Sequence, residues 1–306
     1  MRFRIILGSV LAAFSLAAAH ADEAWPHDCR LSPVARFPMT EHHGHVMIPV
    51  TVNGKTLNFI VDTGGYATSI GENAADALGM HKHGVHLNRI EDVGGKDASD
   101  YVVADTFQIG HELAKDFQLV VSAPAEGEDG ILAPDLLRNF DVELDFGGMT
   151  LTLFRHHPCS DWVVYWTKAF VALPITVTQD GHMRVPVTLD GKDTRAILDT
   201  GAPVSVLSFD RAEDLFGLDE KSPGVVRAGS VVGGAGGKAD AYSYAFKSLA
   251  MGGVIVANPR ILLTKGDNFL DTDNASVLLG MDVLSRLHLY IAYEEGTLYV
   301  SDAAAN

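Results

Sequence analysis

The sequence predicts an all-β protein of two pseudo-symmetric, barrel-like lobes with a few short helices. Residues 44 to 64, GHVMIPVTVNGKTLNFIVDTG, align without gaps on residues 181 to 201, GHMRVPVTLDGKDTRAILDTG, with 11 of 21 positions identical. Residues 131 to 153, ILAPDLLRNFDVELDFGGMTLTL, align in the same way on residues 278 to 300, LLGMDVLSRLHLYIAYEEGTLYV. In both copies apolar and polar residues alternate at the strand period of two, broken at short intervals by turn-forming pairs. Self-similarity at a long fixed offset marks two copies of one structural unit.

Each element can be justified in order. VTVNGKTLNFIVD alternates on either side of Asn53-Gly54, and VTLDGKDTRAILD on either side of Asp190-Gly191. Both predict a hairpin with a two-residue turn, because these residue types tolerate the positive φ that such a turn demands. Each second strand runs into Asp-Thr-Gly. A short helix is expected next, over ENAADALG in the first copy and FDRAEDLFG in the second. A glycine-bearing segment, more strands, a second short helix (PDLLRN, MDVLSR) and a closing hairpin complete the unit. The copies are offset by 137 residues in the first match and 147 in the second. The extra ten lie between the two, around VVGGAGGKA and TKGDNFLDTDNAS.

These matches divide the chain into a leader (22–35), a first lobe (36–155), a linker (156–170) and a second lobe (171–302). Trp162, Tyr165 and Trp166 in the linker are expected to pack on a lobe. Ahead of the leader, residues 1–21 read as a secretory signal peptide. Arg2 and Arg4 precede an apolar run from Ile5 to Ala19, and Ala19-His20-Ala21 offers a small-x-small site with cleavage after Ala21. The run is short for a membrane span, which needs about 20 apolar residues. The expectation is an exported chain, periplasmic or secreted, with no membrane association after signal removal. With both lobes in one chain, a monomer is expected.

The chain has 306 residues, 39 acidic against 23 basic, for a formal net charge of −16. The signal peptide carries two of the basic residues and no acidic one, so the mature charge is −18. Such a surface repels nucleic acid and anionic lipid, which excludes both as partners. The two cysteines, Cys29 and Cys159, each precede one repeat, and in an oxidising compartment they are a possible disulfide.

The duplication gives Asp62 and Asp199 equivalent positions. Packing about a pseudo-two-fold axis brings the two carboxylates together, where they share a proton and titrate as a pair. The charged member can take a proton from water while the neutral one donates to a carbonyl oxygen, a general acid–base apparatus that needs no metal. Gly64 and Gly201 permit the tight turn that aims each carboxylate outward. Thr63 and Thr200 offer hydroxyls to bond across the axis.

These paired Asp-Thr-Gly loops resemble those of the retropepsin-like aspartic peptidases. Each is followed about 70 to 80 residues later by two apolar residues, a small one and a short helix: Ile131-Leu132-Ala133, then Leu278-Leu279-Gly280. The resemblance spans roughly residues 36 to 302. It implies a bilobal pepsin/retropepsin-like fold, a catalytic dyad at Asp62 and Asp199, and a cleft for an extended peptide. It also implies a peptide or protein substrate and neither cofactor nor metal. Thr63, Gly64, Thr200, Gly201, Thr68 and Ser205 would support the catalytic loops. Val93, Gly94 and Gly95 in one lobe, and Val232, Gly233 and Gly234 in the other, would form flaps over the substrate. The chain departs from the family pattern at Gly65-Tyr66, at Pro203 and at Ala133, where glycine is expected. The Asp–Arg pair that braces retroviral dimers is absent too. Its places are taken by Tyr66 and Pro203, and by Pro134 and Met281. At Gly65 and Ala202 the chain lacks a hydroxyl three residues after each aspartate. A carboxylate without that bond is harder to ionise, so a mildly acidic optimum is expected.

Two function classes follow: an aspartic endopeptidase, or a peptide-binding module on the same scaffold with a silent or weak dyad. The histidines of HHGH (His42, His43, His45), HKHGVH (His81, His83, His86) and His156-His157 read as solvated loop residues rather than a metal site. VGGAGGKA lacks the Ser or Thr and the first glycine of a phosphate loop, and no Gly-x-Ser-x-Gly elbow marks a serine hydrolase.

Overall fold

The computed structural model describes residues 31–84, 100–123, 127–156, 162–178, 182–232, 238–265 and 277–304. Ala21, Cys29, Cys159, Val93, Gly94, Gly95, Gly233 and Gly234 lie outside them. β1 (Pro33–Pro38) starts within the leader and runs into the first lobe, followed by β2 (Thr40–His42), β3 (His45–Val52), β4 (Lys55–Val61) and β5 (Ser69–Gly71). The lobe continues through α1 (Glu72–Ala77), β6 (His83–Gly84), β7 (Asp100–Ile109), β8 (Glu112–Ser122), β9 (Gly130–Leu132) and α2 (Pro134–Leu137). It ends on β10 (Asp141–Asp145) and β11 (Thr150–Phe154).

The second lobe repeats the plan with β12 (Val171–Pro174), β13 (Thr176–Val177), β14 (Met183–Leu189), β15 (Lys192–Leu198), β16 (Val206–Ser208) and α3 (Phe209–Phe216). There follow β17 (Val226–Val232), β18 (Lys238–Ala245), β19 (Ser248–Met251), β20 (Val254–Ala257) and β21 (Arg260–Thr264). Then come β22 (Val277–Leu279), α4 (Met281–Leu284), β23 (Leu287–Ala292) and β24 (Thr297–Asp302).

The hairpins turn where the sequence places them. Asn53 and Gly54 have φ of 48° and 76°, and Asp190 and Gly191 have 44° and 77°. This left-handed pair matches the twist of the flanking strands. α3 starts on Ser208, whose hydroxyl accepts from the Arg211 amide at 3.2 Å, and stops at Gly217 with φ 67°.

In the first lobe the strand order β3-β4-β9-β5-β8-β7 returns to β3, which pairs with both β4 and β7, so the sheet closes on itself. In the second lobe the corresponding long hairpin is broken: β19 pairs with β14, and β18, just before it, pairs with β21. Alternation along β3 and β4 sends Ile48, Val50, Val52, Phe59 and Val61 into the barrel core. Each such side chain contributes roughly 1.5–3 kcal/mol by leaving water.

A third sheet joins the lobes. Its order is β1-β11-β10-β23-β24-β12, three strands from each half, with β10 and β23 antiparallel at the seam. Val142 and Leu144 face the main core together with Leu289 and Ile291. The linker residues Val163, Val164 and Trp166 cover the opposite face, against Phe154, Tyr290, Ala292 and Tyr299.

Candidate active site

Asp62 leaves the end of β4, which lies between β3 and the parallel β9. Its amide donates to the Leu132 carbonyl at 3.0 Å, and the Asp199 amide donates to Leu279 at 3.0 Å. Each strand is thus tethered by its neighbour up to the residue that carries the carboxylate. The chain then turns tightly, with the Gly65 amide reaching back to the Asp62 carbonyl and Ala202 to that of Asp199. The Gly64 and Gly201 amides each donate at 2.9 Å to the Oδ1 of the aspartate two residues before.

The carboxyls face each other closely. A Cβ added at Gly64 would stand 2.4 Å from Asp199 Cγ, and one at Gly201 would stand 2.3 Å from Asp62 Cγ. Glycine is required because each loop lies against the other lobe's carboxyl. Below the carboxyls, the Thr63 amide donates to Thr200 Oγ1 at 3.0 Å and the Thr200 amide to Thr63 Oγ1 at 3.1 Å. Each hydroxyl donates onward, Thr63 to the Leu198 carbonyl at 2.7 Å and Thr200 to that of Val61 at 2.5 Å. Both threonines are buried, so all four bonds are shielded from water.

Burial pushes the Asp62 carboxyl above the usual carboxylate range. Asp199 is pushed well above it, by burial first and by the adjacent Asp62 charge second. Two carboxyls in one pocket titrate as a pair, and the first proton added is shared between them. With one charge and one proton, the pair can accept a proton from water and donate one to a carbonyl oxygen.

Thr68 and Ser205 act one layer further out. Thr68 Oγ1 donates to Asp135 Oδ1 at 2.6 Å and accepts from the Ala133 amide at 3.2 Å. Ser205 Oγ donates to Asp282 Oδ1 at 2.6 Å and accepts from the Gly280 amide at 3.0 Å. Asp135 and Asp282, each in the first turn of a short helix, fasten that helix to the far side of the Asp-Thr-Gly loop. Sequence reasoning missed this pair, although the ungapped repeat sets Asp135 on Asp282.

The departures in the first loop leave little room around Asp62. A Cβ at Gly65 would lie 2.7 Å from Asp62 Oδ2 and 3.2 Å from the Ala133 Cβ. A Cβ at Gly280 would lie 2.6 Å from the Val204 carbonyl and 2.7 Å from that of Ala202. The first lobe carries Gly65 with Ala133 and the second Ala202 with Gly280. Tyr66 is exposed beside the site, as is Val204.

The histidines correct the sequence reading in part. His45 is not a solvated loop residue: its Nδ1 lies 2.7 Å from Oε1 of the buried Glu128. His156 Nδ1 lies 2.9 Å from Asp141 Oδ1. Both carboxylates are remote in sequence, 83 and 15 residues away, which hid the pairs. His83 stacks on Tyr101 at 5.1 Å. Among the described residues no three His, Cys, Asp or Glu side chains group to hold a metal ion. Another missed residue is Tyr293, the counterpart of Phe146 in the repeat. Its hydroxyl is buried without a hydrogen-bond partner among the described residues. Burial, and then the Asp62 charge, push that hydroxyl's ionisation up. Val232 closes β17, whose hairpin partner is β18, and β6 pairs with β7 ahead of the corresponding stretch of the first lobe.

A bilobal β fold with a carboxyl from each half at the seam defines the aspartic proteinase class. The chain belongs to the aspartyl protease family, whose sequence model matches residues 48–136 and 185–283. Among solved structures, the aspartic proteinase from Irpex lacteus is similar over 88% of this chain and 97% of its own, at 14% identity and a TM-score of 0.54. That likeness is one of fold. A retropepsin-like aspartic protease from Rickettsia conorii matches 43% of this chain and 90% of its own, at 20% identity and a TM-score of 0.33. Basic 7S globulin from soybean matches 89% and 95%, at 9% identity and a TM-score of 0.49. No curated protein sequence matches the chain.

Proposed function

We propose that the protein is an aspartic endopeptidase that hydrolyses peptide bonds with water activated between Asp62 and Asp199. What carries the reading is the mutual approach of the two carboxyls, close enough that neither Gly64 nor Gly201 has room for a methyl group. The charged member takes a proton from the attacking water. The protonated member donates to the peptide carbonyl oxygen, so a tetrahedral intermediate forms with no net charge added to the site. The C–N bond then breaks as one carboxyl protonates the leaving nitrogen and the other takes a proton from a hydroxyl of the intermediate, which releases acid and amine and restores the singly protonated pair. Thr63 and Thr200 hold the loops so that the carboxyls need not rearrange as charge moves. The substrate is a peptide or protein strand bound across the seam, and the residue 1–21 segment supports action outside the cytoplasm.

The test compares the wild type with Asp62→Asn and Asp199→Asn on a mixed peptide library from pH 3 to 7. Cleavage lost in both variants, and blocked in the wild type by a statine-type transition-state analogue, is the expected result. Unchanged cleavage in either variant removes the dyad from the mechanism. Peptide binding without turnover in the wild type replaces the endopeptidase with a binding module.

A further inference from the structure

The seam between the lobes carries a buried charged cluster on the face away from the dyad. Along β10, Val142 and Leu144 point into the main core, so Asp141, Glu143 and Asp145 point to the opposite face. On β23 the same alternation turns His288 and Tyr290 to that face. A sheet face with this composition normally lies in water. Here Asp141, Glu143 and His288 are each 2% exposed, because the linker lies over them.

The contacts across the seam are specific. His288 Nε2 lies 3.1 Å from Glu143 Oε1, and His288 Nδ1 lies 3.7 Å from Asp145 Oδ1. The Trp166 ring stacks on the imidazole, with centroids 3.9 Å apart and planes 5° from parallel. Trp166 Nε1 donates to Ser301 Oγ at 2.9 Å. Tyr165 donates its hydroxyl to Glu143, with Oε1 at 2.7 Å and Oε2 at 2.9 Å. Beside this group, Tyr290 donates to Asp141 Oδ2 at 3.2 Å, and His156 approaches the other oxygen of Asp141. Thr152 contributes no charge, and Arg36 acts on the Tyr165 hydroxyl from the outer strand β1.

We propose that His288, clasped as a cation by Glu143, Asp145 and Trp166, is a proton-dependent latch that fastens the linker and the two lobes together. The geometry supplies the reason. A carboxylate only accepts, so Nε2 must carry a proton toward Glu143. Among the described residues Nδ1 has no hydrogen-bond partner, and it faces Asp145. A lone pair there opposes a carboxylate, whereas a second proton is attracted to it. The indole face adds attraction for a cation. Buried carboxylates without a cation are costly, so the imidazolium balances charge that β10 contributes from one lobe and β23 encloses from the other.

The sign follows. In its protonated form the imidazole is a cation between Glu143 and Asp145, and the latch is in place. Without that proton, Nδ1 presents a lone pair to Asp145, and the linker loosens. The device holds the lobes most firmly in mild acid. It stands whether or not the dyad cleaves peptides.

Amide hydrogen exchange over residues 162–170, corrected for the intrinsic pH dependence of exchange, reads the latch directly in the wild type. Protection at least tenfold greater at pH 5.5 than at pH 8 is expected; equal protection overturns the proposal. In His288→Gln, which keeps a donor to Glu143 without a charge, the pH dependence of protection and of the melting temperature should flatten. The wild type should lose about 3–6 °C more than this variant between pH 5.5 and 8. Parallel slopes in the two proteins also overturn it, and if the variant does not fold, the wild-type exchange measurement decides alone.

Discussion

Thr63 and Thr200, 137 residues apart, exchange amide-to-hydroxyl bonds of 3.0 and 3.1 Å across the seam. Each hydroxyl accepts from one lobe and donates into a carbonyl of that same lobe. The two Asp-Thr-Gly loops are thereby locked by four buried bonds that depend on two hydroxyl groups. Thr200→Val keeps the shape and removes one of them, leaving the Thr63 amide and the Val61 carbonyl unpaired. A loss of about 1–3 kcal/mol for each unpaired group is expected, against little change for Thr200→Ser. Chemical denaturation measures the difference, and a valine variant as stable as the wild type would show that the lattice contributes nothing.

Gly64 is set by its neighbour rather than by its own turn. A methyl group there would stand 2.4 Å from Asp199 Cγ and push the carboxyls apart. Gly64→Ala should keep its circular dichroism spectrum yet lose on the order of 100-fold in kcat, the usual effect of misplacing a reacting group by an ångström. Wild-type turnover in this variant would contradict the close approach.

Asp199 is raised well above the ordinary carboxylate value of 3.8, chiefly by burial. A group whose folded value is raised binds its proton more tightly when folded. Its stabilising contribution is complete below the unfolded value and is lost as pH rises through the folded one. Asp199→Asn, which cannot ionise, should therefore melt higher than the wild type at pH 7, with the gap closing toward pH 4. A variant that melts lower at pH 7 reverses the sign and refutes the argument.

Ala202 stands three residues after Asp199, where a hydroxyl could donate to the charged carboxylate. Supplying one with Ala202→Ser favours ionisation of the pair. The acid limb of the pH–rate profile should move down by about one unit, the equivalent of one charge-assisted hydrogen bond. An unmoved limb would mean that the missing hydroxyl does not set the optimum. Gly65 does not permit the matching experiment, since a Cβ there meets Asp62 Oδ2 at 2.7 Å.

Local and repeated features were legible in the sequence. Asn53-Gly54 and Asp190-Gly191 announce their turns because few residue types accept positive φ twice in succession. Alternation along β3, β4, β14 and β15 fixes which side chains face each barrel, and the duplication pairs Asp62 with Asp199. The roles of Thr63 and Thr200 were legible for the same reason, since one copy predicts the other. What lies against Ala133 was not legible: its Cβ faces Gly65, 68 residues earlier in the chain.

By itself, then, the sequence determined two like lobes, their hairpins and the residues at the end of each central strand, because periodicity and turn conformation act over a few residues. Only the tertiary structure decided what those strands meet. It paired β10 with β23, brought Glu128 to His45 and Asp135 to Thr68, and folded the linker over Glu143 and His288. Such contacts depend on which faces are buried against each other across long stretches of chain, and a buried carboxylate accepts whichever donor the packing brings within 3 Å.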